Sequence, residues 1–159
     1  MRVGVGYDIH PFKKGKPFVL GGLRIPGPKG LAGHSDGDAL HHAVVDAVLG
    51  ALGAGDIGEH FPDTDRRYKG AASRVFVDGA RRLLRQKNFK IENIDTTLIV
   101  ESPKLGPWKG KIRRSLARDW GVDVASVNVK AKTNEGFGAL GRGEALAVLA
   151  VISLTKTKR

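Results

Sequence analysis

The sequence predicts one α/β domain of the α+β type: a mixed, four-stranded main sheet, helices on one of its faces, and a small extra hairpin. Three observations predict it. Segments that alternate with period two are interspersed with segments whose apolar residues recur at helical spacing. Their order is strands, helix, helix, strand, helix, strand, strand, which suits one layer of helices on one sheet. The chain has 159 residues with no linker, repeat or low-complexity stretch, so a single domain over residues 1–159 is expected.

Each element has its own signal. Residues 1 to 10 alternate as a strand, Val3 and Val5 facing one way and Arg2, Gly4 and Gly6 the other; Pro11 is expected to end it. "KPFVLGGLRIP" reads as a hairpin turning at Gly21-Gly22. After a loop rich in Gly and Pro, Asp38 is a natural N-cap for a helix running to Leu52, where Gly53 and Gly55 stop it. That helix, "ALHHAVVDAVLGAL", is apolar nearly all round and is expected to be buried. A polar loop, "GDIGEHFPDTDRRYKG", precedes a second helix with Val75, Phe76, Ala80, Leu83 and Leu84 as its stripe. "FKIENIDTTLIVES" is a central strand stopped by Pro103. Ile112, Leu116 and Trp120 at spacing four, with Gly121 behind them, predict a third helix. Val127, Val129 and Ala131 alternate as a strand, and the β-branched residues of 143 to 154 predict a last one.

Composition narrows the chemistry. There is no cysteine, so disulfides and thiolate metal sites are excluded and any metal must be held by His, Asp or Glu. A cytoplasmic location fits. The first residues do not have the pattern of a signal segment, and the longest apolar run, "ALAVLAVISL", is shorter than the ~20 residues that span a bilayer. The formal net charge of +11 invites a nucleic-acid reading. The basic residues, however, lie in "RRLLRQKNFK", "WKGKIRRSLAR" and the tail "KTKR", the first two as solvated helix faces. Aromatic residues do not interleave with them, so no stacking platform is visible.

Five histidines are available: His10, His34, His41, His42 and His60. Asp8 and His10 stand two apart on a strand, sharing a face ~6.6 Å from each other. His42 lies in the apolar helix with Asp38 and Asp46 four residues before and after it, where carboxylates could hold its second ring nitrogen. Two imidazoles and one carboxylate with an open position form a catalytic zinc pattern. His41 points ~100° away on the helix. In "GHSDGD", His34 and Ser35 could belong to an ordinary turn, or to a lid that brings an imidazole to a phosphate.

The motifs "GYDIHPF", "LAGHSDGDALHHA", "GDIGEHFPDTD", "ESPKL" and "VNVKAKTNEGFGALGRGE", in that order and spacing, resemble the 2-C-methyl-D-erythritol 2,4-cyclodiphosphate synthases over essentially the whole chain. The resemblance implies a lyase of non-mevalonate isoprenoid biosynthesis. Its substrate would be 4-diphosphocytidyl-2-C-methyl-D-erythritol 2-phosphate, cyclised by attack of the 2-phosphate on the β-phosphorus with loss of CMP. By the same resemblance Asp8, His10 and His42 would hold zinc. Glu135 would help hold magnesium or manganese, and His34 and Thr133 would stabilise the transition state. Ser35 would touch phosphate, Asp8, Ile9 and His10 would also contact substrate, and Arg142 would sit near phosphate. Asp56, Ile57, Gly58, Phe61, Pro62, Asp63, Thr64 and Asp65 would line the methylerythritol side. Val100, Glu101, Ser102, Pro103, Lys104, Leu105 and Gly106, with Ala131, Lys132 and Asn134, would cradle the cytidine nucleotide.

The resemblance further implies a homotrimer with three sheets about its axis and active sites between adjacent subunits, binding neither nucleic acid nor membrane. It departs at Ala139, where relatives often carry Phe near an axial cavity that can hold an isoprenoid diphosphate; that second ligand is not expected here. Two other functions compete. A basic nucleotide- or RNA-binding module would have no reason to converge Asp8, His10 and His42. A zinc hydrolase would need a general base, for which Asp36, Asp38 and Asp63 are candidates.

Overall fold

The computed structural model describes residues 1–157. The last residues of the basic tail, 158 and 159, lie outside the described residues. Among the described residues seven strands and five α-helices follow one another as β1 Arg2–Lys14, β2 Phe18–Leu20, β3 Leu23–Ile25, β4 Lys29–Leu31, α1 Ala39–Leu52, α2 Ile57–His60, α3 Arg74–Gln86, β5 Phe89–Ile99, α4 Lys109–Trp120, β6 Val127–Lys132, α5 Gly138–Gly141 and β7 Ala145–Lys156. The four long strands form the mixed sheet in the order β1-β7-β5-β6; a fifth, short strand, β4, extends it beside β1. β5 and β6 run parallel and the other pairs antiparallel. β2 and β3 are the separate hairpin, turning through Gly21 and Gly22, both at positive φ.

Pro11 does not end β1. It pairs with Ala145 of β7, and the strand continues by exchanging partners, with Phe12 opposite Leu31 of β4. Proline is tolerated in a ladder where no bond needs its missing N–H. Its carbonyl still accepts from the N–H of Ala32 at 2.9 Å. The polar loop after α1 is also more structured than expected. It contains α2, begun by Asp56 accepting the Glu59 N–H, and a 3-10 turn begun by Asp65 accepting that of Arg67.

α1 lies across β1 and β7 as the centre of the core. Its residues are buried except for His42, Asp46 and Gly50, a stripe at spacing four. Gly4 and Gly6 make the close approach possible. A Cβ at Gly6 would collide with the Ala43 carbonyl, and one at Gly4 with that of Ala47. Two strand residues advance ~6.7 Å and four helix residues ~6.0 Å, so strand and helix stay in step. Asp8 and His10 are the next positions on the same strand face, and they meet the N-terminal turns of α1. The helices cover this face only. On the other, Val3, Val5, Tyr7, Ile9 and Leu149 are exposed.

A buried ion-pair cluster anchors the start of α1. Asp38 caps the helix through the His41 N–H and accepts from the N–H groups of Gly21 and Gly22 at 2.9 and 2.7 Å. His41 Nδ1 lies 2.9 Å from Asp38 Oδ2, and its Nε2 lies 3.3 Å from Asp119 Oδ2 of α4, an ionic contact too poorly aligned for a good hydrogen bond. Burial pulls the His41 imidazole down, but the Asp38 carboxylate and Asp119 outweigh it and raise its pKa to about 9. His41 is thereby a structural imidazolium tying hairpin, α1 and α4 together.

Candidate active site

Asp8, His10 and His42 converge. Asp8 Oδ2 lies 2.8 Å from His10 Nε2 and 3.0 Å from His42 Nδ1, and the two ring nitrogens are 3.2 Å apart. Among the described residues this is the group whose ligand atoms come close enough to share a metal ion. His10 Nδ1 is 2.7 Å from the Ala32 carbonyl, which can only accept, so that nitrogen carries a proton. His10 Nε2 then has its lone pair free unless it too is protonated. A carboxylate oxygen and two imidazole nitrogens gathered on one point form a site where a metal cation could replace the protons between them.

The electrostatics agree. Burial pushes the Asp8 carboxyl up, but hydrogen bonds from His10 and His42 outweigh it and hold it well below the usual carboxylate range. Burial pulls the His10 imidazole down, and its hydrogen bond to Asp8 more than reverses that. A partly buried, ionised carboxylate that favours positive charge on its neighbours will attract a divalent cation in the same way. Two imidazoles and a carboxylate at these separations fit such an ion.

The cluster opens into a cavity of about 450 Å³. Its walls include His34 and Ser35 of the loop before α1, Ile57 and Gly58 of α2, and Phe61, Pro62, Asp63 and Thr64 after it. Phe61, Tyr68 and Phe76 form an edge-packed aromatic floor, with Phe76 against the His42 ring at 5.6 Å. The loop that carries His34 and Ser35 is fastened to the segment before α3. The Gly70 N–H donates to the His34 carbonyl at 2.9 Å, and the Asp36 N–H donates to that of Ala71 at 3.0 Å.

A second depression, of about 320 Å³, lies where the parallel strands β5 and β6 end together. Val100, Lys104, Leu105 and Gly106 face Ala131, Lys132 and Thr133 across it. Glu101 accepts the Asn134 N–H at 2.8 Å, and Thr133 donates to Glu135 Oε1 at 2.7 Å. Ser102 and Pro103 form the turn between them, joined by a cis peptide. The two cavities have no lining residue in common.

Several expected positions fall elsewhere. Asp38 does not support His42, because as N-cap its carboxylate turns back to the helix start and to His41. Asp46 accepts the Ile57 N–H at 2.8 Å and thus positions α2 instead of the His42 ring. Ile9 points to the opposite sheet face, as an odd residue in a strand whose even residues face α1. Asp56 and Asp65 are occupied as caps, Asp65 also pairing with Arg67. Arg142 lines neither cavity and pairs with Glu144 at 2.7 Å. Sequence reasoning missed Tyr68, and it read Phe76 only as part of a helix stripe; an aromatic residue facing a ligand atom has the same spacing as one facing the core. It missed Ser73 too.

The family model described as "YgbB family" matches residues 1–155. The chain belongs to the YgbB family. A curated relative from Desulfosudis oleivorans, named 2-C-methyl-D-erythritol 2,4-cyclodiphosphate synthase, is 52% identical over 151 residues, covering 95% of this chain and 90% of its own. A solved Plasmodium falciparum structure, described as an IspF CDP complex, superposes with a TM-score of 0.87 at 36% identity, covering 99% of this chain and 97% of that one. The bifunctional IspDF from Campylobacter jejuni superposes with a TM-score of 0.93 at 40% identity; this chain covers 42% of it. Membership of the YgbB family agrees with the α+β fold and with a divalent-metal site at Asp8, His10 and His42. Among the described residues no helix is long and apolar enough to cross a membrane.

Proposed function

We propose that this chain converts 4-diphosphocytidyl-2-C-methyl-D-erythritol 2-phosphate to 2-C-methyl-D-erythritol 2,4-cyclodiphosphate and CMP. The observation that carries the reading is the convergence of Asp8, His10 and His42 at a cavity walled by His34 and Ser35, in a member of this family. An oxygen of the 2-phosphate attacks the β-phosphorus. The bond from that phosphorus to the oxygen bridging the α-phosphate breaks, and the bridging oxygen leaves with CMP. Such a transfer needs in-line positioning and charge neutralisation more than covalent help from the protein.

Asp8, His10 and His42 would hold the first divalent ion, for which zinc suits the nitrogen-rich set. Glu135, an oxygen ligand, would help hold magnesium. When bound, these ions supply charge neutralisation and polarise phosphoryl oxygens. His34 and Ser35 would donate hydrogen bonds to phosphate oxygens from the cavity wall. Phe61 and the aromatic floor would exclude water from the methylerythritol side. The depression at β5 and β6 would take the cytidine diphosphate part, with Lys104, Lys132 and Thr133 towards its anionic groups. The description of the Plasmodium falciparum relative as a CDP complex supports a cytidine diphosphate ligand.

Two half-sites without a shared lining residue, and an exposed apolar sheet face, support a homotrimer whose active sites lie between adjacent subunits. The basic residues of α3 and α4 are solvated outer faces, and no observation favours the RNA-binding alternative. The deciding experiment is metal analysis of the purified protein with an assay of CMP release. One ion per Asp8–His10–His42 cluster and zinc-dependent turnover are expected, with both lost in His42→Ala. Full activity of that variant in the absence of zinc would refute the assignment.

A further inference from the structure

Ser73 stands at the start of α3 but does not cap it. A serine there ordinarily accepts an N–H from the first turn, yet this side chain makes no such bond. Its hydroxyl is buried, donates to Asp36 Oδ1, and lies 2.9 Å from His42 Nε2. A hydroxyl has one proton to give. With that proton committed to a carboxylate that only accepts, the Ser73 oxygen can only accept from His42. Nε2 must then carry an imidazole proton, so Nδ1 is the nitrogen left to offer its lone pair to a metal ion, which would displace any proton shared with Asp8. Nδ1 is the nitrogen that faces Asp8 Oδ2 at 3.0 Å and His10 Nε2 at 3.2 Å.

The carboxylate is itself held. Asp36 Oδ2 accepts the Ser73 N–H at 3.0 Å, and Oδ1 accepts that of Asp38 at 3.2 Å. Ser35 Oγ also lies 3.1 Å from His42 Nε2, but it sits on the cavity wall and is backed by no carboxylate. We propose that Asp36 and Ser73 are positioning residues: a relay from carboxylate to hydroxyl to imidazole that fixes the tautomer and ring orientation of His42. Through it they set the affinity of the Asp8–His10–His42 site for its divalent ion. The affinity rests on the metal-dependent function proposed above; the tautomer does not.

The test has two arms. Zinc affinity is measured by chelator competition, and the His42 tautomer by nitrogen-15 chemical shifts of the metal-free protein. Ser73→Ala is expected to weaken zinc binding roughly 10- to 100-fold, the usual effect of losing such an outer partner. It should also mix the His42 tautomers while the metal-free protein stays folded by circular dichroism. Ser73→Thr, which restores the hydroxyl, should recover most of the affinity, and Ser35→Ala should change it far less than Ser73→Ala. Wild-type affinity in Ser73→Ala, or an unprotonated Nε2 of His42 in the metal-free wild type, would overturn the relay. A wild type that binds no zinc yet keeps the proton on Nε2 would overturn the metal-dependent function and leave the tautomer lock standing.

Discussion

Charged side chains inside this protein are arranged in two clusters with different work. In one, Asp8 is flanked by imidazoles at the cavity; in the other, Asp38 and Asp119 bracket His41 away from it. Burial would raise the Asp119 carboxyl, but the neighbouring His41 and Arg118 cations hold it below its ordinary value. The sign of its effect follows. In acid the unfolded chain takes up the proton first, so Asp119 stabilises the fold above about pH 4, and that contribution is lost as pH falls towards the lower folded pKa. Thermal unfolding midpoints should therefore drop steeply from pH 5 to pH 3, and less steeply in Asp119→Asn. Equal slopes would mean the carboxylate titrates alike in both states. The convergence of a candidate divalent-metal group was legible in the sequence, since Asp8-x-His10 needs only a strand and His42 only a helix. The roles of Asp38 and Asp46 were not. Both stand four residues from His42, but a capping side chain folds back on the helix start, and the N–H of Ile57 that captures Asp46 is far along the chain.

The contact between β1 and α1 sets the geometry of the metal ligands, and two glycines test it in opposite directions. A methyl at Gly6 would strike the Ala43 carbonyl, a backbone atom that cannot turn aside. Gly6→Ala should cost at least the ~1–3 kcal/mol of an overpacked core, and should weaken metal binding because His42 moves with α1. Gly50, in the same helix, is exposed, and a methyl there would find its nearest neighbour, the Val5 carbonyl oxygen, at 3.9 Å. Gly50→Ala should stabilise the protein by about 0.5–1 kcal/mol through helix propensity alone. Chemical denaturation of the two variants measures both; stabilisation by Gly6→Ala would refute the close-packing account. Elements whose signal is local were readable from the sequence: the Gly21-Gly22 hairpin, and α4 with Ile112, Leu116 and Trp120 ahead of Gly121. Those defined by distant partners were not. β4 exists because β1 continues past Pro11, and α2 exists because Asp46 and Asp56 hold its first turn.

At the scale of the whole molecule, the sheet is covered by helices on one face and bare on the other. Val3, Val5 and Tyr7 of β1 are 58%, 61% and 54% exposed, adjacent on one face with Ile9 and with Leu149 of β7. An apolar sheet face of this kind is stable when another surface covers it. Three copies closing about an axis would do so, and would set the metal half-site of one copy beside the nucleotide half-site of the next. Light scattering should then give three times the chain mass, and Val5→Lys should reduce it. A sharper test uses two variants that are each inactive: His42→Ala damages the metal half, and Glu135→Ala the nucleotide half. If each active site takes one half from each of two neighbours, unfolding and reassembling an equal mixture restores activity. A site works only when its metal half comes from a Glu135→Ala chain and its nucleotide half from a His42→Ala chain. With random assembly into closed rings that occurs in about one quarter of the sites. Recovery near a quarter of wild-type turnover is expected, and none from either variant reassembled alone. If the mixture stays as inactive as its parts while trimers form, each chain completes its own site and the shared arrangement is wrong.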